Sequence, residues 1–252
     1  MKVLFPLSIV CFAAMTLQSI NAEDTRCFEL RTYHANEGKL DALHARFRDH
    51  TVKLFEKHGI TNVGYFVPKD NKDNVLIYVI AFPDKKARTK AWKDFLADAD
   101  WKAAYKDSIV NGRLVGKIDS VLMKATDYSP AIKVSQRDEE RLFELRTYTT
   151  RDGRLPALNA RFRDHTAALF DKHGLEQVAY WTPTEQEGGK DAKLIYMLAH
   201  KDEADKAAGF AAFGKDPSWK AARAASVADG PILVKKGVKS VLMKPMDYSP
   251  TK

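Results

Sequence analysis

The sequence is poor in cysteine, with Cys11 and Cys27 as its two cysteines among 252 residues. Two cysteines can form at most one internal disulfide, which excludes the small domains that are held together by several disulfides. The chain must therefore be stabilised by hydrophobic cores. Its 45% of hydrophobic residues is typical of a soluble globular protein.

Motifs that hold metals or phosphates are missing as well. The sequence contains no His-Glu-x-x-His motif and no paired-cysteine spacing, so it predicts no metal site. It also has no Gly-rich phosphate loop and no Gly-x-Ser-x-Gly nucleophile motif. We therefore expect no bound cofactor.

A long hydrophobic run occurs at the start of the chain, where Val3 to Leu17 follow the lone charge of Lys2. This pattern predicts a secretory signal peptide over residues 1–22 with cleavage after Ala22, and hence a periplasmic or secreted protein. The run is short for a membrane span, so we expect no transmembrane segment after cleavage. An uncleaved membrane anchor is the alternative.

The formal net charge is +8, but basic and acidic residues alternate along the chain, as in "KDNKDN" and "DKKARTK". Interleaved charges are typical of a solvated surface and not of a nucleic-acid track. We therefore predict no nucleic-acid partner.

The chain carries one long passage twice. "FELRTYHANEGKLDALHARFRDHT" begins at Phe28 and "FELRTYTTRDGRLPALNARFRDHT" begins at Phe143, and the copies end in the similar tails "KATDYSP" and "KPMDYSP". A period of more than a hundred residues indicates domain duplication and not a solenoid. We predict domains at 23–130 and 142–252, joined by a polar linker at 131–141.

Each copy has the element order β-α-β-β-α-β, which is that of a ferredoxin-like α+β domain with both helices on one sheet face. In the first copy, apolar residues at helical spacing predict a helix from Asn36 or Glu37 to about His58. A second, broken helix is predicted from about Asp84 to Ser108.

The strand "VLIYVIA" is apolar on both faces, and so is "LIYML" in the second copy. A strand buried on one face should alternate more cleanly, so the open face of each sheet needs a cover. The other copy can supply it, giving an intramolecular pseudo-dimer packed sheet to sheet; further homo-oligomerisation stays open. The residues expected between the sheets are Leu76, Tyr78, Ile80, Leu194, Tyr196 and Leu198.

The motifs "FELRTY", "GRLPALNARF", "LFDKHG", "YWTP", "DPSW" and "DYSP" resemble the NIPSNAP domain, in order and over nearly the whole chain after residue 22. The first copy departs with "DADW" for "DPSW" and "YFVP" for "YWTP". The resemblance implies a dimeric α/β barrel. The wider superfamily includes cofactor-independent monooxygenases, haem-degrading enzymes and small-molecule binders, so the fold does not choose the chemistry.

The predicted first strand places Glu29, Arg31 and Tyr33 on one face and apolar residues on the other. If the apolar face meets the helices, this polar face points into the barrel, where it could bind an acidic or polar aromatic ligand. The alternative, which we favour, is a structural ion pair that fixes the register of the sheets. The second copy repeats the candidate pocket residues as Glu144, Arg146 and Tyr148.

Two histidines in "RFRDHT", His50 and His165, flank the apolar stripe of the first helix in each copy. They are candidates for a general base or a ligand donor, although a half-buried histidine bonded to a neighbour is the simpler interpretation. We expect the aromatic residues of the second-helix region to form core. These are Trp92, Phe95, Trp101, Phe210, Phe213 and Trp219.

The leading functional prediction is a binding or interaction module that holds a small-molecule ligand or docks a protein partner. The alternative is a cofactor-independent monooxygenase or isomerase that uses His50 or His165. A purely structural envelope protein is a third possibility. An enzyme should have an open cavity on which histidine and tyrosine converge.

Overall fold

The computed structural model describes residues 24–137, 140–185 and 190–252. The predicted signal peptide lies outside these residues. The first repeat consists of β1 (Cys27–Ala35), α1 (Leu40–Arg46), a π-helical turn π1 (Phe47–Thr51), α2 (Val52–Lys57), β2 (Thr61–Pro68), β3 (Val75–Phe82), α3 (Lys85–Ala97), α4 (Ala99–Ser108) and β4 (Val115–Ala125).

The second repeat follows the same order. It consists of β5 (Leu142–Thr150), α5 (Leu155–Arg161), π2 (Phe162–Thr166), α6 (Ala167–Lys172), β6 (Glu176–Pro183), β7 (Lys193–His200), α7 (Glu203–Lys215), α8 (Pro217–Ser226) and β8 (Leu233–Pro245). The first helical stretch begins three or four residues later than predicted, at Leu40.

Aspartates define the break in the second helical stretch. Asp84 caps α3 by accepting a hydrogen bond from the backbone N–H of Ala87 at 2.7 Å. Asp98 ends α3 with extended backbone and caps α4 through Asp100 N–H at 2.7 Å. Capping at Asp98 lets α4 start in a new direction, and Asp216 has the same role before α8.

The eight strands form one closed barrel in the order β1-β3-β2-β8-β5-β7-β6-β4. The repeats join at two antiparallel seams, where β2 pairs with β8 and β4 pairs with β6. Closure leaves no exposed sheet edge. The predicted fold class is therefore confirmed: two ferredoxin-like α+β repeats form an intramolecular α/β barrel.

The barrel interior is apolar and filled, and residues of both repeats meet there. Phe28 packs against Trp181 with ring centroids 5.9 Å apart, and Phe66 packs against Phe143 at 4.9 Å. The interior residues of β3 and β7 include Ile77, Val79, Ala81, Ile195 and Met197.

The predicted orientation of the strands is wrong. Leu76, Tyr78 and Ile80 face the helices of the first repeat, and Leu194, Tyr196 and Leu198 face those of the second. Register explains the error: Phe28 pairs with Ala81 and Leu30 with Val79, so these alternate residues share the barrel face. The polar face of β1 therefore lies under the helices, where hydrogen-bonding partners exist for its carboxylate.

The end of each repeat crosses to the other repeat. The "DYSP" tail of the second repeat lies on the first helical stretch of the first, where Tyr248 OH is 2.9 Å from His44 Nδ1 and Asp247 forms two hydrogen bonds with Arg48. Reciprocally, Tyr128 OH donates to Asn159 Oδ1 at 2.9 Å. The tails thus fasten the repeats together outside the barrel.

The predicted linker is not a simple spacer. Ile132 is buried in the barrel core, and Arg141 is buried while donating to the backbone carbonyl of Lys252. In the part of the chain that the structure describes, no helix has the length and apolar character needed to cross a bilayer.

Candidate functional site

Each repeat contains a cavity between the outer face of its sheet and its helices. The first cavity measures about 620 Å³ and the second about 420 Å³. Among the described residues, no aspartate, glutamate or histidine lines either cavity. The walls are aromatic and the polar groups are mostly cationic, so both cavities favour an anion with an apolar body. The lining of the first cavity includes Arg31, Tyr33, Arg46, Thr51, Trp92, Trp101 and Tyr105. The lining of the second includes Arg146, Tyr148, Arg161, Thr166, Phe210, Trp219 and Arg223.

A π-helical turn builds the back of each cavity. In π1, Thr51 Oγ1 donates to the carbonyl oxygen of Arg46, five residues earlier, at 3.1 Å. In π2, Thr166 makes the same bond to Arg161, also at 3.1 Å. The extra residue of a π turn shifts the helical register, and such turns are frequent at functional sites. Here the π turn places the arginine that precedes it and the threonine at its end on the same side of the helix, which faces the cavity.

Arg46 is the most distinctive residue of the first cavity. It is 5% exposed, and its guanidinium donates to Ser108 Oγ at 3.2 Å. Its guanidinium carbon lies 5.4 Å from the ring centroids of both Trp101 and Tyr105, as expected for cation–π contacts. Its Nε has no hydrogen-bond partner, and no described residue forms an ion pair with it. Burial lowers the pKa of Arg46.

Arg161 repeats this arrangement in the second cavity. It is 8% exposed, donates to Ser226 Oγ at 3.2 Å and stacks over Trp219 at 5.3 Å. Its Nε is also unpartnered, and within the described ranges no carboxylate pairs with it. A buried guanidinium without a carboxylate is costly unless something else supplies the negative charge.

Glu29 lies behind the floor of the first cavity, fully buried. It accepts hydrogen bonds from Arg31 at 2.5 Å, Arg88 at 2.7 Å, Ser120 at 2.7 Å and Trp92 at 3.0 Å. Burial opposes its ionisation, but the bonds from Arg88 and Ser120, the charge of Arg31 and the bond from Trp92 outweigh burial and lower the pKa of Glu29 to about 2. Glu29 is therefore an ionised anchor for the cavity floor.

Glu144 has the same place in the second repeat with different partners. It contacts Arg146 at 2.6 Å, His200 Nε2 at 3.2 Å, Lys206 at 3.6 Å and the hydroxyl of Ser240. Burial again raises the pKa, but the bonds from His200 and Ser240 and the nearby cations prevail, and the pKa of Glu144 falls to about 2.

The structure brings only part of the predicted pocket together. Arg31 and Tyr33 line the first cavity, with Arg31 Nη2 3.4 Å from Tyr33 OH, while Glu29 lies beneath them. Arg146, Tyr148 and Glu144 repeat this set, with 3.2 Å between Arg146 Nη2 and Tyr148 OH. The arginines thus pair with the carboxylates and also border a cavity, which lies under the helices and not inside the barrel as predicted.

The predicted histidines do not belong to this site. His50 and His165 are exposed on the outer side of π1 and π2, because the π turn directs the neighbouring arginine and threonine inward instead. Sequence reasoning gave no role in the pocket to Arg46, Arg161, Thr51 or Thr166. The sequence did contain a sign of these residues, because "ARFRDHT" is identical in both copies.

The predicted aromatic core is only partly core. Phe95 and Phe213 are buried, but Trp92, Trp101, Phe210 and Trp219 are half-buried and line the cavities. Large exposed hydrophobic side chains concentrate at the cavity mouths: Leu96, Tyr105 and Ile118 at the first, Val227 and Val238 at the second. Each cavity thus combines a buried arginine with exposed apolar side chains.

Fold comparison places the protein in the class of dimeric α/β barrels, here with both halves in one chain. A monooxygenase candidate from Lactobacillus acidophilus NCFM matches with a TM-score of 0.56 at 10% sequence identity, over 88% of this chain and 94% of that chain. An anthrone oxidase-like protein matches with a TM-score of 0.54 at 12% identity, over 91% and 95% of the two chains.

The sequence belongs to the NIPSNAP family, whose family model matches residues 28–130 and again residues 143–250. A NIPSNAP family protein of unknown function from Agrobacterium tumefaciens is similar at 24% identity, with a TM-score of 0.38, over 42% of this chain and 93% of that chain. A search of curated proteins finds no match to this chain. The resemblance seen in the motifs is therefore confirmed.

Proposed function

We propose that the protein binds small anionic, amphipathic molecules, one in the cavity of each repeat. The observation that carries this proposal is the pair of buried arginines, Arg46 and Arg161, which face cavities and have no carboxylate partner among the described residues. A ligand carboxylate or phosphate supplies the missing negative charge. Charge-assisted hydrogen bonds of this kind are short and strong.

The cavity also determines how such a ligand lies. Its anionic group binds at Arg46, and its apolar body extends between Trp101 and Trp92 toward the mouth, where Leu96 and Ile118 are exposed. Filling the mouth removes this apolar surface from water and contributes about 25 cal/mol per Å² buried. Arg31 is less available for the role, since it already forms an ion pair with Glu29.

Native mass spectrometry of the protein purified from its own host tests the proposal, because a retained ligand adds a discrete mass. We expect that mass to be lost in Arg46→Gln combined with Arg161→Gln. Lys53→Gln is the matched control: it also removes a positive charge from the first helical stretch but is exposed and does not line the first cavity. Equal retention in the double variant and the control would refute the proposal.

The alternative, a cofactor-independent monooxygenase or isomerase that uses His50 or His165 as a base, has weaker support. Both histidines lie outside the two cavities, and the barrel itself is filled. The monooxygenase and oxidase names of the fold neighbours belong to proteins 10% and 12% identical to this one. Oxygen uptake that His50→Gln abolishes would favour the enzyme over the binding protein.

We further propose that the protein is exported, since the uncharged run before Ala22 has the composition of a signal peptide. The exported protein should begin at or near Glu23. Amino-terminal sequencing of the periplasmic or secreted fraction measures this directly. A cytoplasmic product that retains Met1 or Lys2 would contradict export without affecting ligand binding.

A further inference from the structure

The two cavities differ at one position beside the buried arginine. The repeats align as "WKAAY" at Trp101 and "WKAAR" at Trp219, so Tyr105 of the first repeat corresponds to Arg223 of the second. Both residues line their cavity, and both lie one turn along the helix from the tryptophan that stacks on the arginine. The substitution therefore changes the group that faces the ligand head.

In the first cavity, Tyr105 covers Arg46. The phenol ring lies 5.4 Å from the guanidinium carbon, the same distance as the Trp101 ring, and the centroids of the two rings are 5.7 Å apart. Arg46 thus lies beside two neighbouring aromatic rings, which suits a monoanion with a flat body. Among the described residues, the other cation of this cavity without an ion pair, Arg113, lies on the exposed loop that follows α4.

In the second cavity, the exposed Arg223 adds a second guanidinium to a lining that also contains Arg161. Burial is the main cause that lowers the pKa of Arg161, and the charge of Arg223 lowers it further, so the two cations lie within electrostatic reach of each other. No described carboxylate forms an ion pair with Arg223 either. Two guanidinium groups that line one cavity favour an anion between them, and a dianion can neutralise both.

The cavity sizes agree with this division. The first measures about 620 Å³ and carries Trp92 and Leu96, whereas the second measures about 420 Å³ and carries Phe210, with Gly214 in place of the leucine. The larger cavity has the larger apolar wall, and the smaller one leaves less room for the apolar body of a ligand.

We infer that the two repeats bind different classes of anion: the first an aromatic monocarboxylate at Arg46, the second a compact dianion such as a phosphate monoester at Arg161 and Arg223. This inference rests on the proposed function and specifies its ligands. It assigns the selectivity to the exchange of Tyr105 for Arg223.

Calorimetric titration of the whole protein with two probes, 2-naphthoate and phenyl phosphate, tests the inference at pH 7.5, where a phosphate monoester is close to a dianion. We expect Arg46→Gln to weaken the binding of 2-naphthoate and to leave the affinity for phenyl phosphate unchanged. Arg161→Gln should do the reverse. Each loss should be about 10- to 100-fold, as for other hydrogen bonds to charged groups.

The decisive variants exchange the selectivity. Arg223→Tyr should weaken the binding of phenyl phosphate about tenfold or more, and Tyr105→Arg should create a phenyl phosphate site in the first cavity. Lys220→Gln, which removes an exposed cation from the same helix outside the cavity, controls for long-range charge. Thermal melts of all variants establish that each is folded.

The outcomes separate the inference from the function on which it rests. If both probes bind both cavities equally and depend on Arg46 and Arg161, or if Arg223→Tyr behaves like Lys220→Gln, the division of ligands is wrong and anion binding stands. If neither probe depends on Arg46 or Arg161 in folded variants, the proposed function itself fails.

Discussion

Glu29 shows how one buried residue can hold a cavity floor. Four donors from β1, α3 and β4 converge on its two oxygens, so no lone pair on the carboxylate is left to attract a ligand cation. The same donors make its ionised state much more favourable in the folded protein than in the unfolded chain. The stability of the fold therefore depends on the charge of Glu29.

This charge predicts a defined acid transition. The pKa of Glu29 is about 2 in the folded protein against 4.5 ordinarily, so the stabilisation is complete above pH 4.5 and is lost as the pH falls toward 2. The shift corresponds to about 3 kcal/mol for Glu29. Urea unfolding at pH 7 and pH 3 measures most of it, and Glu29→Gln should reduce the pH dependence by that amount, while the contribution of Glu144, whose pKa is also about 2, remains. An unchanged profile in Glu29→Gln would show that other groups cause the acid sensitivity.

The network also predicts unequal costs for its members. Glu29→Leu removes the acceptor of all four donors and should cost about 3–5 kcal/mol, as when one partner of a buried ion pair is lost. Arg31→Met leaves Glu29 bonded to Arg88, Trp92 and Ser120, so it should cost clearly less. Chemical unfolding compares the two variants. Equal losses would mean that Arg31 alone stabilises the carboxylate.

At the scale of the elements, the two π turns decide which residues enter the cavities. A regular α-helix over "ARFRDHT" would rotate the residues after the turn by roughly one position. Arg46 and Thr51 share the cavity side because the turn lies between them, and the bond from Thr51 Oγ1 to the Arg46 carbonyl holds the widened loop.

Loss of that hydroxyl should therefore disturb both stability and binding. Thr51→Val keeps the shape but leaves the Arg46 carbonyl without its side-chain donor, which we expect to cost about 1 kcal/mol. Thr51→Ser retains the hydroxyl and is the matched control. Unfolding of both variants, with titration of 2-naphthoate, is the measurement. Identical behaviour of valine and serine would mean that the hydroxyl does not support the turn.

At the scale of the whole molecule, each repeat supplies what the other lacks. The barrel seams and the crossed tails both join repeat to repeat. Among the described residues, the inner sheet face of each repeat is covered by the other repeat and by Ile132 of the linker. A half-chain would expose that apolar face to water, and exposed apolar surfaces of this extent drive association.

We therefore expect residues 23–130 expressed alone to form a homodimer. Tyr128 corresponds to Tyr248, so in such a dimer it can reach His44 of the partner subunit as Tyr248 does within this chain. Analytical ultracentrifugation over a range of concentrations measures the association. A stable, folded monomer at high concentration would contradict the account of the barrel.

The sequence predicts the repeat and the element order through duplication and apolar periodicity, and the resemblance to the NIPSNAP domain implies the barrel. It does not predict which face of β1 enters the barrel, since both faces of β3 are apolar and the pattern is symmetric. It also does not reveal the π turns. One extra residue in a helical turn leaves no trace in composition, so the sequence pattern favours His50 over Arg46 as the pocket residue.

His200 contacts Glu144 beneath the second cavity, but the corresponding residue of the first repeat is Phe82, and this difference bears on how the two sites can evolve. In a dimer of identical chains, every substitution appears twice, and a histidine at the place of Phe82 would enter both sites together. Here His200 stands beside Glu144 in one half while Phe82 keeps the matching position in the other. Fusion into one chain has released the two sites from symmetry, so one repeat can acquire a new specificity while its twin preserves the old one.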